Sequence, residues 1–300
     1  MQAPETITIS SGPMNARTDP ETGVRWYRWG DRELPSVTSL RRVAGMPHNL
    51  AAWQVSKVVE RATTETDKLN EMLTRERRPR ERALESNRRA EAGKWLRAAS
   101  NEERDASAAI GTAVHDAAAA GMVPADVPEV VRFVKDGRPV EVAGDDVRPR
   151  LGHYRDWLAS SGAEIVAAEF QVANLTVGYA GSADLLCRFP GGLWLIDLKT
   201  GTGTYPEHAL QLCAYRRAEF AFEGTEVLAD LTAHLPRIVG IAILHLTKDG
   251  WTFTAIRETP DLWEAFLGLH AFATWSNRHP RMESLIAGER RSAPAEEKAA

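Results

Sequence analysis

Cysteine is scarce in this chain of 300 residues: Cys187 and Cys213 are the only two. That is too few for a disulfide framework or, within one chain, for the four thiolates of a zinc or iron–sulfur site. Any metal is therefore expected on oxygen and imidazole. Long apolar runs are lacking as well, and Met1 is not followed by a basic-then-apolar leader. Neither a membrane span nor a secretory signal is expected, and a soluble protein of the cytoplasm is the plain reading. No Gly-x-x-x-x-Gly-Lys-Ser/Thr phosphate loop occurs, so an evident ATPase or helicase motor is excluded. Neither sign of charge dominates: 37 Lys and Arg against 41 Asp and Glu leave a formal charge of −4, which argues against a nonspecific polycation. There is no internal repeat.

An apolar fraction of 43% can fill the core of one large domain or two small ones. Residues 1–33 are rich in proline and glycine and read as a loosely structured lead-in whose only strand candidate is Val24–Trp29. Residues 34–104 read as helical: two packed helices from Ser36 to Ala62, interrupted near Gly45–Pro47, then a charged helix or helix pair over 64–98 that Pro79 breaks or kinks. Arg75, Arg77, Arg78, Arg80, Arg82, Arg88, Arg89, Lys94 and Arg97 outnumber the acids of the same stretch. Such a run fits a phosphate-binding surface, or a solvated helix laced with Glu–Arg pairs. Trp26, Trp29, Trp53 and Trp95 read first as packing residues, and as stacking residues only if exposed.

Ser100 and Glu103 form a candidate capping box for a helix running to about Ala120. After a loop and a short helix near Gly152–Ala159, three strand-like blocks follow at Glu164–Val172, Gly178–Phe189 and Leu193–Thr200, which favours a meander. Thr204–Glu207 offers a second capping box for a helix to about Phe220. Strands are expected at Arg237–Leu246 and Trp251–Glu258, a helix at Leu262–Ser276, and a frayed tail over 290–300. The order suggests one α/β domain over 105–289 with a helical region in front.

The chemistry concentrates in Leu193–Thr200. Two-residue periodicity puts Asp197 and Lys199 on one face of the strand, with Ile196 and Leu198 on the other. A hairpin through Pro190–Gly192 brings Asp184 beside Asp197, and Glu169 is the matching acid one strand earlier. Three carboxylates beside one ammonium suit a hard divalent cation, with the lysine left to orient or activate water. That arrangement fits phosphodiester hydrolysis, in which water must approach a negatively charged phosphate. Gln211 and Tyr215, four apart, share a helix face, and Gly111 and Thr112 permit the close packing that brings His115 toward the sheet. Taken singly, an Asp-x-Lys is more often an exposed ion pair, and a lone histidine or tyrosine more often a packing residue.

In their order these residues resemble the RecB-like branch of the PD-(D/E)XK nucleases, especially phage-encoded exonucleases. Gly111-Thr112-Ala113-Val114-His115 is similar to the family's Gly-Thr-x-x-His helix, Gly181-Ser182-Ala183-Asp184 to its Gly-x-x-Asp segment, and Asp197-Leu198-Lys199-Thr200 to its Asp-x-Lys-Thr signature. Gln211-Leu212-Cys213-Ala214-Tyr215 is similar to its Gln-x-x-x-Tyr helix and Glu169 to its upstream acid. The likeness spans roughly 105–257, and Leu34-Pro35-Ser36-Val37-Thr38 also looks like the start of related phage proteins.

The resemblance implies an α/β, restriction-endonuclease-like core with a central mixed β-sheet flanked by helices and an N-terminal helical extension. It implies a Mg²⁺- or Mn²⁺-dependent DNA exonuclease of phage recombination, replication or end processing, working on DNA with a phage recombination or replication protein in an infected bacterial cell. Asp184 and Asp197 are expected to hold the metal with His115 and the Leu198 carbonyl, Glu169 lying nearby. Lys199 is expected to act on water, Gln211 and Tyr215 to orient catalytic groups or DNA, and Arg77, Arg78, Arg80, Arg82, Arg88 and Arg89 to track the DNA backbone. No iron–sulfur cluster is expected. The local chemistry alone equally allows a structure-selective or single-strand endonuclease, and the basic region alone a noncatalytic DNA-binding component of a recombination complex.

Overall fold

In the computed structural model the described residues are 16–18, 24–29, 32–40, 48–74, 85–135, 137–223, 226–279, 285 and 287. The front of the chain pairs β1 (Ala16–Thr18), β2 (Arg25–Trp29) and β3 (Arg32–Pro35) into a small antiparallel sheet. Strand β2 is the candidate expected at Val24–Trp29, while β1 and β3 are strands not expected among the described residues of this lead-in. Tyr27 and Leu34, each 2% exposed, pack with Ala173, Ala180 and Phe222 of the main sheet, and that apolar burial holds a segment whose turn formers suggested otherwise.

Helices α1 (Val37–Leu40), α2 (His48–Thr64) and α3 (Thr66–Thr74) follow. Helix α4 (Glu85–Ala119) is one unbroken 35-residue helix, about 50 Å long at 1.5 Å per residue. Ser100 is therefore a buried mid-helix residue, and the start expected there is corrected. Glu103 does not reach back to a cap: it pairs with Lys57 of α2 at 2.8 Å, while Arg61 pairs with Glu102 and lies 5.5 Å from the Trp95 ring centroid. Trp29 likewise packs, 4.8 Å from Phe222 by centroids. Pro79 lies outside the described residues.

A hairpin of β4 (Val130–Lys135) and β5 (Arg138–Ala143) occupies the stretch expected as a loop, and α5 (Gly144–Ser161) starts well before the helix expected at 152. Strands β6 (Glu164–Asn174), β7 (Tyr179–Phe189) and β8 (Gly192–Lys199) form the expected antiparallel meander. Helix α6 (Pro206–Arg216) begins one residue later than the expected box. His208 Nδ1 accepts from the Tyr205 amide at 3.1 Å, in the place expected of Glu207.

Strands β9 (Phe220–Glu223) and β10 (Glu226–Val227), unanticipated and short, extend the sheet beside β6, and α7 (Ala229–Thr232) leads on. Strand β11 (Ile238–Leu246) then runs parallel to β8, and β12 (Trp251–Ile256) returns antiparallel before α8 (Pro260–Arg278). The result is an α/β fold around a mixed seven-stranded sheet, ordered β10-β9-β6-β7-β8-β11-β12.

Two cores sandwich this sheet. On one face α4, α5 and the β4–β5 hairpin cover Leu185, Ile196, Leu198 and Leu244. On the other, α1, α6 and α8 cover Leu193, Leu195, Ile241 and Ile243. Strand β8 is thus buried on both sides, as a central strand with a parallel neighbour should be. Among the described residues no helix is long and apolar enough to cross a membrane.

Trp157 of α5 is 1% exposed and stacks on Phe253 of β12 with ring centroids 6.0 Å apart. Trp157→Ala is expected to cost about 3–5 kcal/mol of unfolding free energy through lost contacts and the cavity left behind, measured by urea denaturation.

Candidate metal centre

Three elements meet at the end of the β7–β8 pairing. The last paired residues of these strands on that side are Leu185 and Ile196. Beyond them the Asp184 carboxylate takes over from the ladder: its Oδ2 accepts the Leu198 amide at 2.7 Å. The strands part there, while β8 stays paired to β11 through Lys199. This leaves Asp197–Lys199 supported on one side and open on the other.

Glu169 lies between the register pairs Ala168–Leu185 and Phe170–Ala183, so it stands across from Asp184. Its φ of 48° makes it the one non-glycine residue with positive φ among the described residues. A side chain there costs about 1–2 kcal/mol. The local consequence is a break in alternation: Ala168 packs toward the α4 core and Phe170 toward the α6 core, although residues two apart normally share a face.

Helix α4 delivers His115 from above. Buried Ala109, Ala113 and Ala117 let the helix settle on the sheet, and a Cβ on Gly111 would lie 3.0 Å from Thr200 Oγ1. His115 Nδ1 is 3.3 Å from Glu169 Oε1 and 3.7 Å from Asp184 Oδ1, and one ligand atom from each residue lies within 4.8 Å of the others. His115 Nε2 is 3.1 Å from the Leu198 carbonyl. A carbonyl oxygen only accepts, so Nε2 carries the hydrogen, and Nδ1 faces the two carboxylates either protonated or as a bare lone pair. A bare lone pair among carboxylate oxygens demands a cation, and this donor set, one imidazole and two carboxylates, fits a divalent metal. The Leu198 carbonyl, expected as a ligand, orients the imidazole in this arrangement.

A second network adjoins the first. Lys199 Nζ is 2.5 Å from Asp197 Oδ2, and Gln211 Nε2 donates to Asp197 Oδ1 at 3.0 Å and lies 3.5 Å from the Tyr215 hydroxyl. Gly181 makes room for that tyrosine: a Cβ there would sit 2.3 Å from the ring. The structure therefore brings every motif residue together but distributes them unequally. Glu169, expected as a catalytic acid beside the metal rather than among its ligands, joins His115 and Asp184, whereas both oxygens of Asp197 are engaged by Gln211 and Lys199. Of the basic run, Arg77, Arg78, Arg80 and Arg82 lie outside the described residues; Arg88 and Arg89 fall in α4, and Arg89 is exposed. Two imidazoles not singled out in the sequence border the networks. His208 lies three residues before Gln211 on α6, and His245 interrupts the apolar β11. Their spacing and context were the available signals.

Burial pushes the Asp184 and Asp197 carboxyls above the ordinary carboxylate range, despite the nearby His115 and Lys199 charges. It lifts Asp116 to about 6, with Glu169 adding to the rise. For His115 burial works the other way and disfavours the charged ring, but the Asp184 charge and the Glu169 contact outweigh it and raise the imidazole to about 9.

No protein-family model matches the sequence, and no curated protein matches it. Among solved structures a match is found to a crystal structure of SSO0001, 17% identical, with a TM-score of 0.26, covering 46% of this chain and 66% of that one. The matched part thus spans just under two thirds of that protein. The cluster itself is suited to holding a divalent metal in a hydrolytic enzyme.

A metal at Nδ1 must displace the proton that His115 holds, so binding is expected to tighten as pH rises from about 6.5 toward 9. In the metal-free protein the same raised pKa makes a stability contribution that is complete below pH 6.5 and lost as pH rises through about 9. Mn²⁺ titrations at several pH values, with His115→Ala as reference, check this; a slope that persists in the variant assigns the proton elsewhere.

Proposed function

We propose that the chain is a divalent-metal-dependent DNA exonuclease with a RecB-like, restriction-endonuclease-like core, serving phage DNA recombination, replication or end processing. The observation that carries the reading is the convergence of His115, Glu169 and Asp184 next to an Asp197–Lys199 pair. The ordered motifs that resemble the RecB-like nucleases support DNA as the substrate and a phage-infected bacterial cell as the setting.

His115, Glu169 and Asp184 would hold Mg²⁺ or Mn²⁺, with Asp197 the next carboxylate along the site. When bound, the ion supplies a Lewis acid that offsets charge on the phosphoryl oxygens. The remaining work falls to the chain's own groups. Lys199, tethered by Asp197, orients the attacking water and presents positive charge to the phosphate. Gln211 fixes the Asp197 carboxylate, so the lysine's tether does not swing. Tyr215 borders Gln211, and the Leu198 carbonyl sets the His115 ring. Arg77, Arg78, Arg80, Arg82, Arg88 and Arg89 would follow the DNA backbone through phosphate contacts without reading bases.

End-labelled single- and double-stranded DNA incubated with Mg²⁺ or Mn²⁺ is expected to yield short products from the ends, while circular single-stranded DNA survives. Cutting of the circle would instead establish an endonuclease. Asp184→Ala and Lys199→Ala are each expected to lower the rate about a hundredfold or more while leaving the fold intact; undiminished cleavage by either variant overturns the assignment. Charge reversal of Arg77, Arg78 and Arg80 is expected to weaken binding alike for all sequences and to flatten its salt dependence, measured by titration of labelled DNA at several salt concentrations.

A further inference from the structure

Strand β11 reads Ile-Val-Gly-Ile-Ala-Ile-Leu-His-Leu, and His245 is its one ionisable side chain. The parallel pairing with β8 puts Ile243 beside Asp197 and His245 beside Lys199. Register partners in neighbouring strands share a face of the sheet. Ile243, 2% exposed, is the apolar neighbour of Asp197 on that face. His245 takes the next place along it, where the strand ends.

His245 Nε2 lies 2.7 Å from the carbonyl oxygen of Gly201. That oxygen only accepts, so Nε2 carries the hydrogen and donates. Gly201 belongs to the turn that leaves β8 immediately after Lys199. The turn has a soft backbone, with glycines at 201 and 203, and is exposed at Gly201 and Thr202. A Cβ on Gly201 would meet nothing within 4 Å, so packing does not hold this residue. On the α4 side the same corner is held by the close approach of Gly111 to Thr200 Oγ1. On the β11 side the tie is His245.

We propose that His245 is a positioning residue for Lys199: by clamping the Gly201 carbonyl it fixes the corner after β8 and so keeps the Lys199 amine on Asp197. The catalytic consequence rests on the nuclease reading above; the clamp itself does not. Replacing the imidazole with glutamine keeps a donor nitrogen near the position of Nε2 and removes the titrating ring. Alanine removes the donor, and asparagine keeps polarity but falls short of Gly201.

The test compares the full chain with His245→Ala, His245→Gln and His245→Asn in two measurements. Hydrogen–deuterium exchange of the metal-free proteins, read on peptides spanning 199–205, is expected to speed up about tenfold or more in His245→Ala and to stay near wild type in His245→Gln. In cleavage of end-labelled DNA with Mn²⁺, kcat is expected to fall about ten- to a hundredfold in His245→Ala, with KM for DNA changed by less than about twofold, and to recover in His245→Gln. Should His245→Ala not fold, His245→Asn replaces it, with the same outcomes expected. Unchanged exchange in His245→Ala, or in His245→Asn where it replaces that variant, overturns the clamp. A His245→Gln protein with wild-type exchange but the activity of His245→Ala also overturns the proposal, because the ring would then act on a proton rather than on the backbone. Wild-type protein that cleaves nothing refutes the nuclease reading alone, and the exchange comparison still decides the clamp.

Discussion

Like charges cannot be gathered out of water without compensation, and everything around this site answers that constraint. Glu169, Asp184 and Asp197 occupy one partly buried region, and burial already disfavours the ionised forms of Asp184 and Asp197. The chain offers two cations of its own. His115 is drawn toward its charged form by Asp184 and Glu169, and Lys199 is paired to Asp197. With one imidazole nitrogen committed to the Leu198 carbonyl, the other is left among carboxylate oxygens. Without a metal a proton has to fill that place, and a divalent ion fits it with more charge.

Such a cluster is assembled only because the backbone yields around it. Asp184 replaces a ladder partner for Leu198, which lets β7 leave β8 where the acids need room. Glu169 accepts a left-handed backbone that most side chains avoid, and the facing of β6 changes across it. Close approaches at Gly111 and Gly181 admit α4 and the Tyr215 ring, respectively. These local costs are borne by two apolar cores that cover both faces of β8. Helix α4 also ties the front of the chain to the site, since Glu102 and Glu103 at its middle pair with α2 while its C-terminal end carries His115.

Legibility differed by element for physical reasons. The β6–β7–β8 meander was readable because each strand is a compact apolar block set off by turn residues, and the Asp197–Lys199 alignment follows from strand periodicity alone. The start expected at Ser100 failed because a capping pattern also occurs inside helices; here Glu103 found Lys57, a partner from another helix. The β4–β5 hairpin was missed although its strands pair locally, because Val131, Phe133 and Val142 show themselves as core only against α4 and α5, and β9 was missed because it is short and pairs with β6 far back in the sequence. Strand β2 was readable at Val24–Trp29, whereas β1 and β3 were hidden among glycines and prolines, and Tyr27 and Leu34 reveal themselves as core only once Phe222 lies against them.

By itself the amino-acid sequence determined the kinds of donor available, their order along the chain, and the side of each strand or helix on which most of them fall, since those follow from side-chain chemistry and from periods of two and 3.6 residues. Only the tertiary structure decided which carboxylates share His115, that Asp197 is engaged by Lys199 and Gln211, and that His245 stands beside Lys199 across a parallel pairing. Those are distances between segments far apart in sequence, set by strand register, by a single left-handed residue and by how closely small side chains let a helix approach a sheet. No local periodicity contains them.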